Sequence, residues 1–243
     1  MPVVESNPLI SFVVLCYRFE KYLGLCIESI LSQQGDYPFE IVIIDDASPD
    51  NSLAVARSFA HPGIRVVSHK FNLGHAATVN EGMTLTRGSY IARIDGDDYY
   101  CSNFLSVVMP IFEQHPEVGL IYGDAAIVNS EGSITTDISY SHHNNCNFKG
   151  NEFIALLEKN FICAPTVIAR REAWGQVLPA PLHLAFHDWY FTTMIARTWE
   201  FYYTAQITAH YRVHSGNLHS QIVLNRTEEP SIIWMLDYIF STK

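Results

Sequence analysis

Residues 39–52, FEIVIIDDASPDNS, decide the fold. Ile41 to Ile44 are consecutive β-branched residues, apolar on both sides of a would-be strand, and such a run belongs in a sheet covered on both faces. Asp45 and Asp46 stop the run, and Asp50 stands where it can cap a helix from about Ser52 to Phe59. The same pattern recurs on either side. Upstream, Leu9–Cys16 (LISFVVLC) reads as a strand, and Leu23, Ile27, Ile30 and Leu31 then share one helical face up to about Gly35. Downstream, Ile64–Ser68 is a strand, His75–Leu85 a helix, and Tyr90–Ile94 a fourth strand stopped by Asp95-Gly96-Asp97-Asp98. Alternating buried strands and helices predict an α/β fold with a Rossmann-like, mostly parallel central sheet.

The pattern loosens after Asn103. A helix to about His115 precedes a strand over Val118–Val128, and the polar segment Ser130–Gly150 reads as a long hairpin or loop. Helices near Asn151–Lys159 and Asp188–Arg197 lead to a β-like run, Phe201–Val213. The end, PSIIWMLDYIF, is a short helix with Ile232, Leu236, Ile239 and Phe240 on one stripe, extended by Ile233, Trp234 and Met235. That stripe suits core or oligomer packing, and the absence of Lys and Arg on the polar face weakens a bilayer-surface reading. No repeat or linker divides the chain, so residues 1–243 are expected to form one domain.

Composition narrows the function. The chain has 243 residues, 48% hydrophobic and 16% charged, with 25 acidic against 15 basic side chains and a net charge of −10. This hydrophobicity excludes disorder as the dominant state. The charge disfavours nucleic acid, and also an anionic membrane bound by charge alone. It also raises a question: a phosphate-bearing ligand would need something to neutralise it. Cys16, Cys26, Cys101, Cys146 and Cys163 are scattered and odd in number, which reads as reduced thiols in a cytosolic protein. No basic leader precedes an apolar stretch, and no uncharged apolar run reaches the roughly 18 residues of a membrane span. The expected location is therefore cytoplasmic, and the sequon Asn225-Arg226-Thr227 carries little weight there.

Two acidic clusters follow strands directly, where open parallel sheets bind their ligands. Either alone reads as a strand stop or helix cap; two together favour a site. Three carboxylates within Asp95–Asp98 repel one another unless a cation lies between them, and oxygen ligands select Mg²⁺ or Mn²⁺. Gly96 is expected to let the chain turn between the ligand positions.

The order VVLCYRFEKYLGLCIESILSQQ (13–34), FEIVIIDDASPDNS (39–52) and NLGHAATVNEGMTLTRGSYIARIDGDD (72–98) resembles the family 2 glycosyltransferases, inverting enzymes of GT-A fold. The resemblance covers about residues 9–100 and implies a nucleotide-sugar-binding half (about 8–128), an acceptor-binding half (about 129–225) and the C-terminal helix (226–243). It places Tyr17 beside the nucleotide base, Asp45 and Asp46 at the base or ribose, and Asn72, Gly74, Asn80 and Gly82 alongside the nucleotide sugar. Asp95 and Asp97 match the outer members of the Asp-x-Asp motif holding metal and nucleotide, with Gly96 between them and Asp98 extending it. Arg18 stands where the family often has Asn, either touching the diphosphate or lying on the rim. Tyr211-Arg212-Val213-His214 resembles the family's Tyr-Arg-x-His stretch, so Arg212 or His214 is implied to assist the departing diphosphate, His214 as a further metal ligand.

Asp188, in His187-Asp188-Trp189 after the loop LPAPLHLAF, is the candidate general base. A helix N-terminus lowers an Asp pKa, whereas Phe186, Trp189 and Tyr190 raise it by desolvation; residue types leave the balance open. His187 replaces the family's usual acid and reads as an acceptor-pocket or structural residue. His210, His214 and His219 do not share a helical face, which argues against a zinc site, and His142-His143 reads as surface.

The implied reaction moves a sugar from a metal-bound nucleoside-diphosphate sugar to a hydroxyl of a glycan or lipid-linked glycan. Surface polysaccharide or glycolipid synthesis is the implied setting, with peripheral association at the inner membrane face and oligomerisation through the C-terminal helix compatible with it. A GT-A domain that binds nucleotide sugar without turnover is the main alternative. A sugar nucleotidyltransferase lacks its Gly-rich phosphate loop here, a receiver module would place its acidic pair after the first strand, and a dinucleotide dehydrogenase lacks Gly-x-Gly-x-x-Gly.

Overall fold

A computed structural model describes residues 9–138, 143–217 and 228–241. In chain order its elements are β1 (Ile10–Cys16), α1 (Leu23–Leu31), β2 (Phe39–Asp45), α2 (Ser52–Ser58), β3 (Ile64–Ser68), α3 (His75–Thr84), β4 (Tyr90–Asp95), β5 (Tyr99–Tyr100) and α4 (Phe104–Gln114). There follow β6 (Val118–Val128), β7 (Ile134–Thr136), β8 (Phe148–Gly150), α5 (Phe153–Glu158), β9 (Ile168–Arg170), α6 (Arg171–Gly175), α7 (His187–Ala196), β10 (Glu200–Arg212) and α8 (Glu228–Ser241).

Among the described residues the strands form one sheet ordered β3-β2-β1-β4-β9-β6-β10-β5, with β7 on β6 and β8 on β10. β3, β2, β1 and β4 are mutually parallel, as their unbroken apolar runs require. β1 is buried along its whole length and feeds two cores by alternation. Val13 and Leu15 face the side packed by Val79, Trp174, Phe191 and Ile195, whereas Phe12 and Val14 face Ile27, Phe104 and Phe112. Removing a fully buried ring such as Phe12 costs about 3–5 kcal/mol.

The second half departs from the sequence reading in its small elements. β9 runs antiparallel to both β4 and β6 and stitches the two halves of the sheet together, yet it is three residues long and leaves no periodicity to read. The polar segment after β6 does form a hairpin through β7, and β8 adds to β10. His143 is not a surface residue: its Nε2 lies 2.6 Å from Glu152 Oε1 and 3.2 Å from the Tyr122 hydroxyl, with the ring stacked on Phe148 at 4.0 Å. A buried Glu152 recruits the imidazole because a desolvated carboxylate needs a partner. His142, His219 and the sequon at 225–227 lie outside the described residues.

α8 docks on the domain, with Met235 and Ile239 buried and Ser231 Oγ accepting the Ala185 N–H at 2.9 Å. Phe240, expected on the packed stripe, is 74% exposed, because the buried face runs through Ser231 and Met235 instead. All five cysteines are free thiols. Among the described residues, no helix is long and apolar enough to cross a membrane.

Candidate active site

Strand register creates the site. Parallel pairing sets Cys16 opposite Asp45 and Leu15 opposite Asp95, so both acidic clusters emerge beside the end of β1.

In the first cluster, Asp46 is buried and both its carboxylate oxygens are engaged. Oδ1 accepts the Leu73 N–H at 2.7 Å and lies 2.6 Å from His69 Nδ1; Oδ2 accepts the Gly74 N–H at 2.9 Å. Asn72 Nδ2 donates to the Asp46 carbonyl at 3.3 Å, and His69 Nε2 continues to Glu81 Oε2 on α3 at 2.8 Å. Burial disfavours a charged His69, but the bonds to Asp46 and Glu81 outweigh it and raise the His69 pKa. Asp46 thus anchors the 69–74 loop, whose Gly74 sits at φ +87°, a conformation that favours glycine. In Asp45 one oxygen accepts the Ser48 N–H at 3.2 Å, while the other is buried without a partner. Tyr17 and Arg18 are exposed at the rim. Arg18, at φ +64°, donates its N–H to Ser48 Oγ at 3.1 Å, and Ala47 sits at φ +57°.

The second cluster has three differently placed acids. Asp95 Oδ1 lies 3.2 Å from His75 Nε2 and 3.6 Å from Arg93 Nη1. Burial pushes the Asp95 pKa up, but the Arg93 and His75 charges prevail and hold it at about 2. Asp97 Oδ2 faces His214 Nε2 at 3.0 Å and Asn217 Nδ2 at 3.2 Å; burial raises its pKa against the His214 bond, and the Asp95 charge adds to the rise. Asp98 is pushed well up by burial and then by Asp97, and its Oδ1 accepts the Arg212 N–H at 2.8 Å. Gly96 has a different reason to be glycine than turning. A Cβ there would lie 3.1 Å from Leu23 Cδ1 and 3.2 Å from the Leu15 carbonyl, so a side chain would need these neighbours to give by a few tenths of an ångström.

Arg212 is buried and committed to the chain. It donates to the carbonyls of Asp97 (2.8 Å), Asn129 (2.9 Å) and Ser130 (3.2 Å), and lies over the Tyr22 ring at 4.5 Å. Its Nε and Nη1 therefore shape the Asp97 loop, beside the diphosphate contact that the resemblance implies. The resemblance implies a metal set of Asp95, Asp97 and His214; among the described residues, no three His, Cys, Asp or Glu side chains are already gathered as a metal-holding group. Asp95 turns its Oδ1 to His75 and Arg93, while Asp97 is paired with His214. An oxygen and an imidazole suit Mn²⁺ or Mg²⁺ only in a shared site, completed by phosphate oxygens and water.

Asp188 stands in the first turn of α7 and shares a cleft with Arg93, Trp174 and Phe191. Asn160 Nδ2 donates to its Oδ2 at 3.2 Å, fixing the carboxylate. Asn80 clamps the preceding loop with two bonds, accepting the Ala180 N–H at 2.7 Å and donating to the Ala180 carbonyl at 3.0 Å. Gly82 lets α3 close on Val13, whose Cγ1 would lie 2.6 Å from an added Cβ. His187 is buried and stacks on His75 with ring centroids 5.6 Å apart. The Asp-x-Asp segment is thereby linked through Asp95, His75 and His187 to the base candidate. His69, Glu81, His75, Arg93, Asn160 and Asn217 were not singled out by sequence; His75, Glu81 and Arg93 lie within the 72–98 motif and Asn217 closes the Tyr211–Asn217 stretch, but only the folded chain shows what each touches.

The model of glycosyl transferase family 2 matches residues 11–178. The chain belongs to glycosyl transferase family 2. Among curated relatives of this family 2 chain, an uncharacterized protein of Mycobacterium tuberculosis is 26% identical over 215 residues, covering 86% of the chain and 60% of the relative. The uncharacterized glycosyltransferase EpsJ of Bacillus subtilis is 38% identical over 96 residues, 39% of the chain and 28% of the relative. The mannosyltransferase PcManGT of Pyrobaculum calidifontis, solved with GDP-Man and Mn²⁺, superposes with a TM-score of 0.70 at 16% identity, covering 98% of this chain and 66% of that one. S. aureus TarS 1-349 with UDP-GlcNAc gives 0.68 at 19% identity, covering 87% and 60%. These two structures share the fold. The family 2 chain spans about 60% of the length of its mycobacterial relative.

Proposed function

We propose that the protein is an inverting glycosyltransferase that moves a sugar from a nucleoside-diphosphate donor to a hydroxyl of a glycan or lipid-linked glycan, in surface polysaccharide or glycolipid synthesis. The observation that supports this reading is the link Asp95–His75–His187, which joins the Asp-x-Asp segment to the residue next to Asp188. The nucleotide sugars bound by the two structural neighbours support the donor class.

The unpartnered oxygen of Asp45 and the exposed ring of Tyr17 receive the nucleoside. Asp46 acts one step back, by holding the 69–74 loop. Asp97 and His214 would hold a divalent cation, which offsets the charge of the departing diphosphate when bound. The acceptor oxygen attacks the anomeric carbon from the face opposite the nucleotide; Asp188 takes its proton, and the bonding pair of the breaking C–O bond leaves with the diphosphate. Asn160 keeps one carboxylate oxygen fixed so that the other faces the acceptor.

A thermal-shift panel of nucleoside diphosphates and their sugars, with and without Mn²⁺, tests the donor reading; it should show metal-dependent stabilisation, and none from any ligand would remove it. Asp188→Asn should lower kcat by about 10²–10⁴-fold while donor binding persists. An unchanged rate would overturn the base assignment, whereas donor binding with no transfer by the wild type would favour binding without turnover.

A further inference from the structure

Buried polar atoms without partners are rare, since each costs free energy, and they concentrate where a ligand completes them. Among the described residues eight side-chain atoms are so placed, and four lie at this site: Asp45 Oδ1, His75 Nδ1, and both ring nitrogens of His187. His187 is 4% exposed, and the Pro181 carbonyl lies toward it without meeting hydrogen-bond geometry. An apolar side chain would fill this place at less cost, so His187 is a poor choice for packing alone.

We propose that the stacked His75–His187 pair is a sugar-recognition element, whose three unpartnered ring nitrogens bind hydroxyl groups of an uncharged hexose on the donor. The inference rests on the donor reading above and adds the class of sugar. A neutral imidazole carries one N–H and one lone pair, the same complement as a hydroxyl group. Whichever way the proton of His75 is placed at Nε2, toward Asp95 at 3.2 Å or accepting from Arg93 at 3.3 Å, its Nδ1 stays unpaired. Burial lowers the His187 pKa to about 3, with the nearby His75 and Arg93 adding to the shift, so this ring remains neutral across the physiological range. The Arg93 guanidinium beside His75 is offset by Asp95 at 3.6 Å. Asp188, next to His187 in the chain, leaves one net negative charge that disfavours a sugar acid, whereas hydroxyls satisfy all three nitrogens.

The test is calorimetric titration of the full chain with UDP and GDP, with their glucose, galactose, N-acetylglucosamine and mannose derivatives, and with UDP-glucuronate. In the wild type at least one neutral-sugar donor should bind about tenfold more tightly than its bare nucleotide, and UDP-glucuronate should not. His187→Phe should keep the bare-nucleotide Kd within about twofold and the unfolding midpoint at or above wild type. The same variant should erase the sugar's gain and lower kcat/KM about 100-fold, with partial recovery in His187→Gln. Deoxy analogues of the preferred donor give a second readout that needs no His187→Phe protein: one of them should lose affinity in the wild type and lose no more in His187→Gln. Retention of the sugar's gain and of turnover within about twofold in His187→Phe, or equal binding of every deoxy analogue, overturns the proposal. Failure of every nucleoside diphosphate of the panel above to bind the wild type with Mn²⁺ present removes the donor reading beneath it.

Discussion

The two strand-end acid clusters look alike in sequence and do different work. Asp46 spends its carboxylate inside the protein, on two loop N–H groups and His69. Asp97 is equally buried and, among the described residues, its carboxylate meets His214 and Asn217. The difference lies in the donors each acid finds. Backbone amides and a doubly bonded imidazole satisfy a carboxylate and make it a structural anchor. An imidazole and an amide from two side chains hold it less firmly than a pair of backbone amides, which is the state a cation and a diphosphate can exploit.

Substitutions should separate the clusters. Asp97→Ala should remove about 10³-fold in kcat and abolish metal-dependent donor stabilisation, with the smaller stability loss of the pair. Asp46→Ala strands His69 and two amides, so chemical denaturation should show a loss of about 3 kcal/mol, with donor affinity falling as the loop loosens. The reverse pattern would invert the assignment. His69→Gln should act through pH. Because the folded pKa of His69 is raised, its contribution is fully present below the ordinary value of 6.5 and is lost as pH rises through the folded value. The wild type should therefore lose stability with rising pH across that window relative to His69→Gln, and parallel curves would show that the imidazole is not the latch. The smallest effect belongs to Ala47, at φ +57° between the anchor and Ser48. Ala47→Gly should gain about 0.5–1 kcal/mol by relieving left-handed strain.

The strand ends were legible because buried parallel strands leave long β-branched runs, and Asp45 and Asp95 follow from where those runs stop. The partners were not legible. His69 lies 23 residues from Asp46, and Asn80 is 100 residues from Ala180, so no local pattern relates them. Arg212 was found by resemblance yet faces inward, because a buried guanidinium takes the nearest carbonyls. Gly96 shows the same limit: it packs against Leu15 and Leu23, which only the folded chain brings near.

β9 carries a consequence for the order in which the chain is made. Its three residues fill the gap between β4 and β6, so the sheet stays in two pieces until residue 170 has left the ribosome. Until then β4 presents an unpaired edge beside a buried apolar surface, a template for pairing with another nascent chain. A fragment ending before Ile168 should therefore hold the nucleotide-side motifs and still aggregate. The short strand that sequence reading passes over closes the molecule.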